Sequence, residues 1–161
     1  MQVTRSIGPE LRRQWQRLAG VPGGKWLFSR LLGRFVPYTG TLGARIEVLE
    51  PGHCVVRLYD RRKVRNHLHS VHAMALANLG EMATGLALLN SLPGNTRGIL
   101  KGFNVEYLKK ARGLLVAECR CEIPDSNAEC EVEVRCEIRN TIRDIVTVAR
   151  AQWLIGPEKP A

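Results

Sequence analysis

Residues 66–89, NHLHSVHAMALANLGEMATGLALL, decide how this chain of 161 residues folds. From Val71 to Leu89, apolar side chains occupy almost every face of a predicted helix, which is typical of a helix buried in a core. Glu81 lies in the middle of that helix, and a buried carboxylate is costly unless it is paired or used in chemistry. Because desolvation raises the pKa of such a group, Glu81 is a candidate general base.

The segments around this helix predict two N-terminal helices and an antiparallel sheet. Residues 9–19 and 24–35 predict short helices, which glycine and proline separate. Alternation of apolar and polar residues predicts strands with one buried face at 41–50, 54–59, 98–108, 114–123, 129–139 and 144–155. We expect this sheet to curl around helix 71–90, because no other long apolar helix is available to cover it.

The alternation also predicts which strand residues face the core. Leu42, Ala44, Ile46 and Val48 are expected to face inward in the first strand, and Ile123 at the end of the fourth. An odd number of cysteines without secretory features indicates reduced thiols and a cytoplasmic location. We expect all five to be small core residues and not metal ligands: Cys54, Cys119, Cys121, Cys130 and Cys136.

The net charge of +9 is concentrated near the start of the chain, where residues 1–36 hold seven basic residues and one acidic residue. A solvated helix face explains such a segment, and contact with an acidic partner, nucleic acid or an anionic membrane is the alternative. Few aromatic residues and no RNA-stacking motif argue against nucleic acid. No transmembrane segment is expected, because His72, Asn78 and Glu81 interrupt the longest apolar stretch.

The order of elements and the spacing of three residues resemble hotdog-fold acyl-CoA thioesterases. Asn66 and His72 are six residues apart, and His72 and Glu81 are nine apart, which is similar to the pattern of the phenylacetate-pathway type. The segment GILKGFNVEYLKKAR at 98–112 is similar to the strand that follows the central helix in that family. PYTG at 37–40, with the extension before it, looks more like a poorly characterised branch of the superfamily.

The resemblance implies an α+β hotdog fold, in which a curled antiparallel sheet of five to six strands wraps around one long central helix. We accordingly expect an N-terminal helical extension at 1–36 and a hotdog domain at 37–157. The chain departs from the family where two glycines usually follow the histidine, since Ala73 and Met74 stand there. It also has Leu100 where a serine or threonine is common.

The resemblance further implies a site at the interface of a homodimer. Nine helical residues make about two and a half turns, so His72 and Glu81 point to opposite sides of one helix. The family places Asn66 and His72 of one subunit against Glu81 of the other. Glu81 would then be the base or nucleophile, and the backbone N–H groups of Ala73 and Met74 would stabilise the oxyanion.

The implied substrate is an acyl-CoA, with coenzyme A as part of the substrate and no separate cofactor or metal. The assembly is expected to be a homodimer, or a tetramer. Positively charged side chains are needed for the phosphates of coenzyme A. The candidates are Arg61, Arg62, Lys63, Lys101, Lys109, Lys110 and Arg112.

Alternatives remain open at each position. The alternative for Glu81 is a structural carboxylate that is hydrogen-bonded across the dimer to Asn78 or Thr84. The alternative for His72 is a helix cap without a catalytic role, and the alternative for Asn66 is an ordinary turn residue. A metal site at His67, His69 and His72 is disfavoured because no carboxylate lies at ligand spacing. At the level of function, a hotdog protein that binds acyl-CoA or fatty acid without turnover is the main alternative, and a dehydratase is weaker.

Overall fold

The computed structural model describes residues 6–122 and 124–158. The helices are α1 (Gly8–Leu18), α2 (Gly24–Phe35), α3 (Pro37–Gly40) and α4 (Ala73–Leu89), with a short 3-10 turn at Arg62–Val64. The strands are β1 (Arg45–Glu50), β2 (His53–Tyr59), β3 (Thr96–Tyr107), β4 (Leu114–Arg120), β5 (Cys130–Arg139) and β6 (Ile145–Pro157). Ile123 and the first five residues of the predicted extension lie outside the described residues.

The six strands form one sheet in the order β1-β2-β4-β5-β6-β3. Every neighbouring pair is antiparallel. The prediction of an antiparallel sheet with five to six strands is therefore confirmed. Strand β3, which follows α4 in the chain, crosses the sheet to pair with β6 and lies at one edge.

Helix α4 packs against this sheet and contacts all six strands. Leu79, Ala83 and Leu88 on this helix are fully buried. The helix approaches the sheet closely at Gly80, where an added Cβ would lie 2.6 Å from the Cβ of Ala149 on β6. A glycine is needed at this point because any side chain would push α4 away from the sheet. The apolar sequence of α4 thus becomes the cover of the sheet's inner face.

The N-terminal helices that the sequence predicts are present and pack on the same core. Trp15 of α1 and Phe28 of α2 meet edge to face, with ring centroids 5.2 Å apart. The Ser29 hydroxyl accepts a hydrogen bond of 2.9 Å from the N–H of Ile46, and Lys25 donates one of 2.6 Å to the Glu47 carbonyl. These bonds fix α2 against β1, and the short α3 then returns the chain to that strand.

Two predictions about buried faces are wrong. A β-bulge between Ile46 and Val48 shifts the alternation of β1, so Leu49 is buried and Val48 only half-buried. Cys130 is exposed, because β4 pairs with β5 only from Cys136 to Arg139 and the start of β5 extends past it.

The remaining cysteines follow the prediction in part. Cys54, Cys119 and Cys136 are buried, whereas Cys121 is half-buried. Burial raises the pKa of the Cys136 thiol to about 12 and that of Cys121 to about 11. All five thiols are free. No helix among the described residues is long and apolar enough to span a membrane.

Candidate active site

A cavity of about 440 Å³ lies between α4 and the segment formed by α2 and α3. We call it the Glu81 cavity, because Glu81 is the carboxylate among its lining residues. Much of its wall is apolar and comes from four elements, α1, α2, α4 and β6: Leu11, Leu32, Met82, Leu86, Leu89 and Trp153. A cavity of this size and character is typical of a small-molecule site.

Glu81 is half-buried on α4, directly after the close contact at Gly80. Burial raises the pKa of its carboxyl group above the usual value. No described side chain or backbone group donates a hydrogen bond to this carboxylate within the chain. The Thr84 hydroxyl bonds the backbone carbonyl of Glu81 at 2.9 Å. Glu81 therefore has the surroundings expected of a general base.

Trp153 of β6 is a second polar group of the cavity, and the sequence analysis does not identify it. Its side chain is only 4% exposed, and its indole Nε1–H has no hydrogen-bond partner among the described residues. A Cβ added to Gly85 would lie 3.3 Å from the indole ring and 3.8 Å from Oε1 of Glu81. The indole and the carboxylate therefore both lie against Gly85 and close to each other.

Arginine side chains also line the Glu81 cavity. They are Arg30 and Arg34 of α2, Arg45 of β1 and Arg61 in the loop after β2. The guanidinium of Arg61 donates a hydrogen bond to the carbonyl of Leu42, and Arg45 forms an ion pair of 3.1 Å with Glu47. Of these four arginines, only Arg61 is among the phosphate-binding residues predicted from the sequence.

The other predicted phosphate-binding residues do not line this cavity: Arg62, Lys63, Lys101, Lys109, Lys110 and Arg112. All six are exposed. Lys109 forms an ion pair of 2.8 Å with Asp144. Arg112 donates hydrogen bonds to the carbonyls of Leu68 (3.1 Å) and His69 (3.2 Å) and so holds the loop before α4.

Asn66 lies in the loop before α4 and His72 at the start of that helix, and neither lines the Glu81 cavity. The Oδ1 atom of Asn66 accepts hydrogen bonds from the N–H groups of Leu68 (2.9 Å) and Ser70 (3.3 Å), which is an Asx-turn. His72 is the N-cap of α4, where its Nδ1 accepts a hydrogen bond of 3.0 Å from the N–H of Met74. Both residues thus have structural roles within one chain.

The two predicted oxyanion donors differ in availability. The N–H of Met74 is bonded to His72, whereas no described residue accepts from the N–H of Ala73. The carbonyl of Ala73 accepts a hydrogen bond of 3.0 Å from the Tyr107 hydroxyl. In the described part of the chain, no three His, Cys, Asp or Glu side chains are grouped so as to hold a metal ion.

Solved structures that resemble this fold include proteins described as thioesterases. A genomics target designated APC5556 has 30% identity and a TM-score of 0.81, covering 92% of this chain and 99% of its own. A probable thioesterase of unknown function from Pseudomonas aeruginosa has 21% identity and a TM-score of 0.74, covering 86% and 97%. A Streptococcus mutans protein bound to acetyl-CoA has 19% identity and a TM-score of 0.60, covering 71% and 90%.

These similarities define the class of fold as that of the hotdog-like thioesterases. Residues 24–155 match the family described as a domain of unknown function, DUF4442, and the chain belongs to that family. The match begins inside the predicted N-terminal extension, and the division of the chain at residue 36 stays a prediction. Among curated proteins, no sequence matches this chain.

Proposed function

We propose that this protein is an acyl-CoA thioesterase in which Glu81 is the general base or the nucleophile. The observation that supports this most directly is the position of Glu81. Its carboxylate accepts no hydrogen bond from the described residues, burial raises its pKa, and it lines a largely apolar cavity. The hotdog-like thioesterase neighbours have the same sheet and helix arrangement. In the proposed molecule the sheet curls around α4 as the central helix.

The proposed chemistry is hydrolysis of a thioester. As a base, Glu81 removes a proton from water while the water oxygen attacks the acyl carbonyl. The tetrahedral intermediate then collapses, the carbon–sulfur bond breaks, and the thiolate leaves and takes up the proton. As a nucleophile, the carboxylate attacks the carbonyl directly and the carbon–sulfur bond breaks, which expels the thiolate. Water then hydrolyses the resulting anhydride to the product acid and the Glu81 carboxylate, and the proton released from water neutralises the thiolate. A raised pKa suits the first route, because the base accepts a proton more readily near neutral pH.

The proposed substrate is a coenzyme A thioester, with no separate cofactor. The apolar wall of the Glu81 cavity suits an acyl group. The arginines at this cavity, Arg30, Arg34, Arg45 and Arg61, suit the phosphates of coenzyme A. The Streptococcus mutans neighbour binds acetyl-CoA, which supports the same class of ligand here.

The complete site is proposed to form in a homodimer, or in a tetramer of dimers. Asn66, His72 and the N–H groups of Ala73 and Met74 would then come from the second subunit. The surface beside His72 supports this proposal because it exposes apolar side chains that a second copy would cover: Leu68, Met74, Tyr107 and Leu108. With this arrangement, the site would be similar to that of the phenylacetate-pathway thioesterases. We propose that the protein acts in the cytoplasm.

Hydrolysis of a panel of acyl-CoAs tests the activity, with release of free thiol as the measurement. The panel spans short, long and aryl acyl groups. Replacement of Glu81 by glutamine keeps the shape of the side chain but removes the base. We expect this variant to lose about 10²- to 10⁴-fold in kcat. Equal rates in the two proteins would contradict the role of Glu81.

Mixed dimers test the interface separately. Glu81→Gln and His72→Ala variants, carrying different tags, are co-expressed, and the mixed species is purified through both tags. If each site takes its groups from two subunits, the mixed dimer regains one intact site and about half of the normal activity. If the site lies within one chain, both subunits are defective and the activity stays at the level of the variants.

A non-catalytic acyl-CoA binding protein is the second candidate function. It is favoured by the start of α4, where Ala73 and Met74 replace the two glycines and Met74 N–H is already bonded to His72. That bond removes one of two expected oxyanion donors. Calorimetry with acyl-CoA would then detect binding, while thiol release would stay at the uncatalysed rate.

A further inference from the structure

Helix α2 exposes large apolar side chains to solvent, although its other face is packed on the core. Phe35 is 72% exposed and Trp26 is 56% exposed. Leu27, Leu31, Val36 and Tyr38 in and after this helix are exposed as well. Clustered exposed apolar residues mark an interaction site, whereas isolated ones do not.

The exposed residues of α2 form two adjacent rows along the helix. Leu27, Leu31 and Phe35 are spaced four residues apart and form an apolar row. Trp26, Arg30 and Arg34 have the same spacing and form the row beside it. The guanidinium of Arg30 lies 5.8 Å from the centre of the Trp26 ring. We call these six residues the α2 face.

Both charged residues of the α2 face are arginines, and Glu10, which lies near Leu31 and Phe35, forms an ion pair of 3.4 Å with Arg13. Residues 11–44 include six basic residues and no Asp or Glu. Neither Arg30 nor Arg34 forms an ion pair with any residue in the described ranges, whereas Lys25 of the same helix lies 3.9 Å from Glu47. The face therefore presents uncompensated positive charge beside exposed aromatic and aliphatic side chains.

We propose that the α2 face docks this protein on the surface of an anionic lipid bilayer. Arginine would contact lipid phosphates, Trp26 would lie at the headgroup level, and Leu31 and Phe35 would enter the acyl boundary. Exposed Trp, Phe and Leu beside arginine are typical of helices that lie in the plane of a membrane interface. An acidic protein would match the same charge, but it predicts no binding of this chain to lipid vesicles, and the vesicle experiment below separates the two.

The α2 face also adjoins the Glu81 cavity. Trp26, Arg30, Arg34 and Phe35 belong to both the face and the lining of that cavity. A molecule docked through this face would therefore hold the edge of its cavity against the bilayer, where acyl chains are concentrated. The proposal does not depend on the thioesterase activity, because membrane binding is measured without a substrate.

Flotation of the full chain with lipid vesicles tests the proposal. One vesicle is phosphatidylcholine alone, and the other contains about one-third phosphatidylglycerol to supply negative charge. We expect binding to the anionic vesicle, and weaker binding as salt increases. Each arginine near an anionic surface contributes about fivefold in affinity, so Arg30→Gln with Arg34→Gln should weaken binding about 25-fold. Phe35→Ser should weaken it about tenfold.

Matched controls lie elsewhere on the surface. Arg120→Gln removes an exposed arginine of β4, and Ile142→Ser removes an apolar side chain that is 76% exposed. Neither should change vesicle binding. Brominated lipid should quench tryptophan fluorescence in the normal protein and not in Trp26→Phe, because Trp153 is buried and Trp15 is half-buried.

Three results would overturn the proposal. The first is no binding to anionic vesicles at low salt. The second is binding that the controls weaken as much as the α2 variants do. The third is an α2 face that a second copy of the chain covers, in which case Phe35→Ser would dissociate an oligomer and vesicles would not bind.

Discussion

Gly80→Ala tests how closely α4 approaches the sheet. Helix propensity alone favours alanine over glycine by about 1 kcal/mol inside a helix. The structure predicts the opposite result, because the new Cβ would lie 2.6 Å from the Cβ of Ala149. Carbon atoms that are not bonded prefer about 3.5–4.0 Å, so α4 must move by about 1 Å. The Ala149 methyl is fully buried and cannot rotate away.

The expected loss of stability in Gly80→Ala is the difference between these two opposing effects. Overpacking of a core costs up to about 3 kcal/mol, and the gain in helix propensity offsets about 1 kcal/mol of it. We therefore expect Gly80→Ala to lower the free energy of unfolding by about 2 kcal/mol, which lowers Tm by about 4–8 °C for a chain of this size. Urea unfolding followed by circular dichroism measures the first quantity.

Two comparison variants make this prediction specific. Gly20→Ala adds the same methyl group at a position with no neighbour within 4 Å, and should change stability by less than about 0.5 kcal/mol. Ala149→Gly should restore stability when combined with Gly80→Ala, because it removes the atom that collides. A Gly80→Ala protein as stable as the original, or more stable, would refute the close packing of α4 on β6.

Three further predictions concern stability. Phe28→Ala should cost about 3–5 kcal/mol and shift Trp15 fluorescence to the red, because Phe28 is buried against that ring; thermal unfolding and emission spectra check this. The hydrogen bond from Arg65 (2.6 Å) lowers the pKa of Asp60. The contribution of this hydrogen bond to the free energy of unfolding is therefore fully present above the ordinary carboxyl pKa, and it is lost as the pH falls through the lowered pKa. Asp60→Asn should therefore cost about 1 kcal/mol at neutral pH and less in acid, as urea titrations would show. Burial raises the pKa of Glu81, so its charged form opposes folding as pH rises above the ordinary carboxyl pKa. The stability of Glu81→Gln relative to the original protein should therefore increase over that rise, as the same urea titrations would show.

Much of the fold is predictable because it depends on local pattern. Strand β5 alternates so regularly that Val134, Cys136 and Ile138 are correctly predicted to be buried. The alternation rule fails at Val48, because a β-bulge shifts the alternation by one residue and no glycine or proline in the sequence indicates that bulge. It fails at Cys130 for another reason, because burial there depends on how far β4 extends.

The residues of the candidate site also fall into those that the sequence identifies and those that it does not. Glu81 is identifiable in the sequence, because a single charge in an apolar helix has a cost that function or pairing must explain. Arg30, Arg34 and Trp153 are not identifiable, since packing of α2 and β6 against α4 brings together residues far apart in the chain. The absence of acidic residues from 11 to 44 marks this segment as basic, but it does not show that the two arginines line the cavity.

The pH dependence of kcat/KM tests the central claim most directly, measured for the original protein and for Glu81→Gln with the acyl-CoA that is hydrolysed fastest. If Glu81 activates water, the rate rises with pH through a pKa above the ordinary value for glutamate, because only the carboxylate accepts the proton. The glutamine variant should lose this rise together with most of its activity. A glutamine variant with the same rate and the same pH profile would contradict the claim.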